Sequence, residues 1–172
     1  LGFKIGEKVV YPNHGVGVVE TIQESLLDGT SHHVYQLRIL GNNSRVTVPI
    51  GNSERVGLRP LTRRQEVAGI FRVLEDGILD PATDWKGRYK QNLDKMKSGR
   101  LTEIAGVLKN LSWCQKRKSL SFREKKMYER ARYLIISEIA QINGLPETEV
   151  EGEVEKALSR SASRRPGDGR DH

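Results

Sequence analysis

The chain has 172 residues, 36% of them hydrophobic and 30% charged, with a formal net charge of +7, which leaves room for one domain or two small ones with modest cores. No window approaches the ~18 apolar residues of a membrane span, and no charged-then-apolar signal segment opens the chain, so a soluble cytoplasmic protein is expected. The single Cys114 excludes an intrachain disulfide and fits a reducing compartment.

The first sixty residues read as β. Val9, Val10 and Tyr11 run into Pro12 and a glycine turn, NHGVG. The run 17-GVVETIQES-25 follows, then an Asp28-Gly29 turn, 34-VYQLRIL-40, a GNN turn and 45-RVTVPI-50. Alternation of Tyr35, Leu37 and Ile39 with Gln36 and Arg38, and of Val46, Val48 and Ile50 with Arg45, Thr47 and Pro49, has period two. With short turns that predicts a small antiparallel barrel or a strongly curved sheet. Pro49 cannot donate to a ladder, so its strand is expected at an edge or ending there. A free edge can pair with another chain.

After Pro60 the period becomes helical. Thr62 and Gln65 have capping-box spacing, ahead of a stripe of Val67, Ile70, Phe71 and Leu74 ending near Gly77. The segment 78-ILDPATD-84 reads as a connector. A second helix is predicted from Thr83 or Asp84 to Ser98-Gly99, and a third from Leu101 with Ile104, Ala105, Leu108 and Leu111 on its face. Ser121 and Glu124 make a further capping box, opening a helix to Asn143-Gly144, and a last helix is predicted from Pro146 to Leu158. The fold class is thus α+β: an N-terminal β domain over 1–60, then an all-helical domain over 61–160. The tail 159-SRSASRRPGDGRDH-172 has almost nothing to bury, and 161–172 is expected to be disordered.

Charge is unevenly placed. Residues 1–60 carry six Lys/Arg against five acids, whereas 86–132 carry fifteen against four. A concentrated basic block implies an anionic partner, with nucleic acid first and a merely solvated helical surface as the bland alternative. Lys116, Arg117 and Lys118 on one side of a short connector, and Arg123, Lys125, Lys126, Arg130 and Arg132 on the other, are placed to converge on one face. Nothing reads as catalytic. There is no P-loop and no GxSxG, and one Cys with four His offers little for a metal site. No cofactor is expected, and no enzyme.

Within 81-PATDWKGRYKQN-92, Trp85 poses a choice. Trp85, Tyr89, Leu93 and Met96 have core-stripe spacing. Yet Trp85 falls in the first turn, where free N–H groups and the helix dipole favour phosphate, with Lys86, Arg88 and Lys90 around it. An aromatic among phosphate-binding groups can wedge beside or stack on a base. Spacing leaves both readings open.

Four blocks together, 3-FKIGEKVVYPNHGVGVVETI-22, 45-RVTVPI-50 with 56-VGLRPL-61, 85-WKGRYKQNLDKMKSG-99 and 120-LSFREKKMYERAR-132, resemble the CarD/CdnL family of bacterial transcription regulators over about residues 3–160. The resemblance implies a Tudor-like domain that binds the RNA polymerase beta subunit, and a helical domain that meets promoter DNA at the upstream edge of the bubble. By position, Trp85 is the family's minor-groove wedge, with Lys86, Arg88, Lys90, Lys125 and Lys126 as basic DNA contacts. By the same resemblance Arg45, Val46, Thr47, Val48 and Pro49 would form the polymerase-binding strand. A monomer is expected. Two positions depart from the pattern: Gly87 stands where relatives commonly have Arg, and Thr47 where they have a larger or charged residue. The competing reading is a polymerase-independent architectural DNA- or RNA-binding protein; a nuclease would need clustered acids that the sequence lacks.

Overall fold

The computed structural model describes residues 2–76 and 85–164, apart from the side chains of Leu27, Trp85, Lys86 and Arg164. The chain divides into two compact units, Leu1–Leu61 and Thr62–His172.

The first unit is an antiparallel sheet of five strands: β1 (Lys8–Tyr11), β2 (Gly15–Leu27), β3 (Thr30–Ile39), β4 (Arg45–Pro49) and β5 (Arg59–Pro60), in the order β4-β3-β2-β1-β5. Asp28 and Gly29 both have positive φ, 52° and 76°. That combination makes a turn whose twist matches the flanking strands. The β2–β3 ladder therefore closes all the way to Leu27↔Thr30, and both strands are longer than the 17–25 and 34–40 expected. The added pairs include the exposed Ser31, His32 and His33, which carry no apolar alternation to read.

Inside, Val9, Val19, Tyr35, Leu37, Val48 and Leu58 form the core, with Phe3, Tyr11 and Val46 packed against it. The Phe3 N–H donates to the Tyr35 hydroxyl (3.0 Å), and their rings meet edge-on at 5.7 Å. That gives the buried tyrosine its hydrogen-bond partner. Pairing slips between Val19 and Thr21, leaving Glu20 as the extra residue of a bulge. Strand β4 lies at the sheet edge and ends at Pro49, as the missing N–H requires.

The second unit is helical: α1 (Val67–Glu75), α2 (Trp85–Ser98), α3 (Leu101–Arg117), α4 (Phe122–Asn143) and α5 (Glu147–Arg164). Its entry differs from the expected Thr62/Gln65 box. Glu66 turns back to accept from the Arg63 N–H (3.3 Å) and Nε (3.1 Å), while the Thr62 N–H donates to the buried Glu138 (2.8 Å). Carboxylates are the stronger acceptors, and they outcompete the neutral Gln65 amide.

Helix α3 is the central element. Beyond the expected face, Val107, Lys109, Asn110 and Ser112 are also buried. Lys109 is 7% exposed at its side chain and reaches Asp76 at 2.7 Å, so the buried ammonium has its counter-charge. Helix α4 opens on the Ser121/Glu124 box and closes on Gly144 in the left-handed region (φ 65°), both at the predicted places.

Helix α5 corrects the expected tail. It continues to Arg164, and Ser161 is buried with its hydroxyl donating to the Asp76 carbonyl (2.6 Å). Arg160 pairs with Glu75 (3.1 Å). Ser161 prolongs the buried row Val150, Val154, Ala157 and Leu158, but as a small hydroxyl it carries no hydropathy signal. The connector 78–84 and the segment 165–172 lie outside the described residues.

Candidate nucleic-acid interface

The beginnings of α2 and α4 are fastened together. Arg88, one turn into α2, donates from Nε (3.1 Å) and Nη2 (3.0 Å) to one oxygen of Glu124. The other Glu124 oxygen accepts from the Ser121 N–H, while Ser121 Oγ accepts the Glu124 N–H at 3.2 Å. Glu124 is only 3% exposed. A buried carboxylate is tolerable because the cap and the guanidinium satisfy both oxygens. A second tie lies alongside: the Arg123 guanidinium sits 4.3 Å above the Tyr89 ring. Tyr89 and Leu93 pack against the helical core and Met96 is buried in it, so the stripe anchors α2.

Cations face outward from this joint. Lys90 is exposed and reaches Asp94 at 3.4 Å, an exposed i,i+4 pair of small worth. Lys125 and Lys126 are exposed on the first turns of α4. Of the expected DNA contacts, Lys90, Lys125 and Lys126 thus stand in solvent, while Arg88 is engaged with Glu124. Trp85 and Lys86 begin α2, and their side chains lie outside the described residues. Arg132, unlike the exposed lysines, is neutralised within the fold. It pairs with Glu151 and with Glu155 (3.2 Å) on α5, and the bond to Glu151 raises its pKa.

One residue of the joint escaped the sequence reading. Phe122, the first residue of α4, is 71% exposed, and Lys126 Nζ lies 4.7 Å from its ring centre. The only signal for it in the chain is an aromatic directly after a capping serine, with lysine four residues on.

In the β unit, β4 separates the expected polymerase-binding residues by face. Val48 is buried and Val46 packs on the core; Arg45 and Thr47 point outward, and Pro49 is half-buried. The bulge aims Glu20 at two arginines, Arg45 Nε and Arg38 Nε, each at 3.0 Å. The hydrogen bond from Arg45, opposed in part by desolvation and joined by Arg38, holds the Glu20 carboxyl below its ordinary pKa. Thr47 Oγ1 donates to Gln36 (3.0 Å).

Other features fit a polyanion poorly. An open cleft beside α4 and α5 is lined by Glu129, Glu147 and Glu151 around Arg132, and three carboxylates repel phosphate. Among the described residues no group of three or more His, Cys, Asp or Glu is placed to hold a metal ion. No helix among them is long and apolar enough to cross a membrane.

Comparison with known proteins agrees with this division. Residues 3–62 match the CarD-like/TRCF RID domain and residues 69–155 the CarD C-terminal domain. The chain is 34% identical over 148 residues to "Putative transcription factor YdeB" of Bacillus subtilis (strain 168), covering 86% of this chain and 97% of that protein. Two adjoining domain matches in one order, and a relative aligned almost end to end, place this chain in the CarD/CdnL family of transcription regulators.

Proposed function

We propose that this regulator binds initiating RNA polymerase as a monomer through the β4 edge, on the beta subunit, and stabilises the promoter open complex through the α2–α4 joint. Trp85 would wedge at the upstream fork of the bubble. Lys86, Lys90, Lys125 and Lys126 would meet phosphates there. The observation that carries this reading is the joint itself. Arg88–Glu124 and Arg123–Tyr89 hold two helix starts together, so exposed cations from both helices share one platform at the helix turn that begins with Trp85. Arg88 serves this reading first as the fastener, since a phosphate would have to compete with a buried carboxylate for its guanidinium.

The energetics favour delivery by polymerase. Tethering raises local concentration, so intrinsic DNA affinity can be weak. A wedge at an already unstacked fork avoids much of the unstacking cost. It then binds open DNA better than closed, and only that difference shifts the equilibrium. A preference of about 1.4 kcal/mol changes the open-to-closed ratio roughly tenfold.

Trp85→Ala tests the reading. The variant should still bind polymerase, and its open complexes should decay about tenfold faster for a wedge of that strength. A thermal melt distinguishes the alternative: a core tryptophan truncated to alanine costs ~3–5 kcal/mol. A folded variant with unchanged open-complex lifetime refutes the wedge. Loss of binding to an isolated beta-subunit lobe after Arg45→Ala or Thr47→Asp supports the β4 edge, and retention by both refutes it.

A further inference from the structure

Phe122 is an aromatic ring held in water. Among the described residues every other Phe, Tyr and Trp side chain is at least half-buried, whereas Phe122 is 71% exposed. Its place is fixed by its neighbours: Ser121 caps the helix through the Glu124 N–H, and Glu124 is clamped by Arg88. The ring therefore projects from a rigid corner.

The surroundings of the ring say what it would meet. Lys126 Nζ lies over it at 4.7 Å, and Arg123 and Lys125 are exposed beside it. The acid nearest in sequence, Glu124, is buried and engaged on both oxygens, so it offers little to a partner. A flat apolar face rimmed by cations complements a ligand that joins flat apolar faces to a polyanionic backbone. We propose that Phe122 is a second aromatic DNA contact, packing its ring on an unpaired base or a deoxyribose while Lys125 and Lys126 take adjacent phosphates. This rests on the reading of the joint as a DNA platform and assigns it a residue that is neither charged nor part of the wedge.

Salt dependence separates a ring from a charge. Removing one phosphate-binding cation flattens the slope of log affinity against log salt by about 0.9 on duplex and 0.7 on single strands. Removing a stacked ring lowers affinity without changing the slope. The full chain is titrated with a fluorescent forked duplex at several KCl concentrations. Phe122→Ala should weaken binding by about fivefold or more at every salt, with the wild-type slope; Phe122→Trp should restore it. Lys125→Ala/Lys126→Ala should flatten the slope. Unchanged affinity of a folded Phe122→Ala, or a loss accompanied by a flattened slope, overturns the proposal. Failure of the underlying reading looks different: then the wild type itself does not bind the fork, or neither Trp85→Ala nor the lysine variant weakens it. A fork that wild type and Phe122→Ala bind alike, and that the lysine variant binds poorly, overturns the aromatic contact alone.

Discussion

The two units handle charge in opposite ways. On the β sheet two arginines are neutralised at the surface: Arg38 and Arg45 converge on one carboxylate, Glu20, across three strands. In the helical unit two acids, unlike the exposed Asp94, Glu129 and Glu147, are taken inside. Glu124 and Glu138 are 3% and 2% exposed and hold a helix cap, a guanidinium and an incoming backbone N–H. Withdrawing Glu124 from the surface leaves its exposed neighbours Lys125 and Lys126 with little opposing charge beside them in the first turns of α4. The number of basic residues in a segment is therefore a poor measure of its attraction for phosphate. What matters is which carboxylates have been taken into the fold, and with which partners.

The largest expected effect follows from that contrast. Arg88→Ala would strand the buried Glu124 without its counter-charge, costing the helical unit about 3 kcal/mol. Arg45→Ala, at an exposed pair, should cost less than ~1 kcal/mol. Both tryptophans, Trp85 and Trp113, lie in the helical unit, so denaturant unfolding followed by tryptophan fluorescence reads that unit separately. Adding Glu124→Gln to Arg88→Ala should recover part of the loss, because glutamine still completes a capping box but needs no cation. Equal costs for Arg88 and Arg45 would abolish the distinction between the units.

Next in size is the binding effect of the exposed lysines. Lys90→Ala, Lys125→Ala and Lys126→Ala should each reduce fork-DNA affinity about two- to fivefold and flatten the salt slope by about 0.7–0.9. Arg45→Ala should change neither. On the β4 edge, Thr47→Arg should tighten binding to the beta-subunit lobe about threefold, mainly through faster association. It should leave the melting temperature unchanged, since Thr47 is exposed.

Much of this was legible in the chain, and the gaps have physical causes. The period-two strands, the Pro49 edge, the Ser121/Glu124 cap and the Tyr89–Leu93–Met96 stripe follow from local rules, and they stand as expected. The pairing of Arg88 with Glu124 does not. The spacing of Arg88 from Trp85 suggests a phosphate contact and says nothing of Glu124, which lies 36 residues away and is brought to it by tertiary packing. The partners of Arg132 are hidden from local spacing for the same reason, its acids lying on α5. Ser161 and Lys109 were missed because hydropathy assigns both to the surface, whereas Asp76 takes a hydrogen bond from each inside the fold, on its carbonyl and its carboxylate. Phe122 reads as one more apolar residue of an amphipathic helix until the cap fixes which way it faces.

The smallest expected effect tests the β side of the comparison by pH. The Glu20 pKa is lowered chiefly by Arg45, then by Arg38. A lowered carboxyl contributes stability that is fully present above its unfolded pKa of about 4.3 and fades as pH falls through the folded value. Glu20→Gln should therefore be slightly less stable than wild type by a constant margin from pH 7 to about 5, and that margin should shrink below about 4. Methyl resonances of Val19, Leu37 and Val46 follow the unfolding of this unit. A margin that persists undiminished well below the ordinary carboxylate range would mean that charge is not what fixes the arginines. Packing of their aliphatic stems across β2, β3 and β4 would then be holding them. Acid should also free Arg45 from its intramolecular partner, so the β4 edge would offer an unpaired guanidinium only where Glu20 is protonated or where a stronger acid displaces it. If the proposed polymerase contact places a carboxylate on Arg45, that group competes with Glu20, and Glu20→Gln should then raise polymerase affinity at neutral pH even as it slightly weakens the sheet.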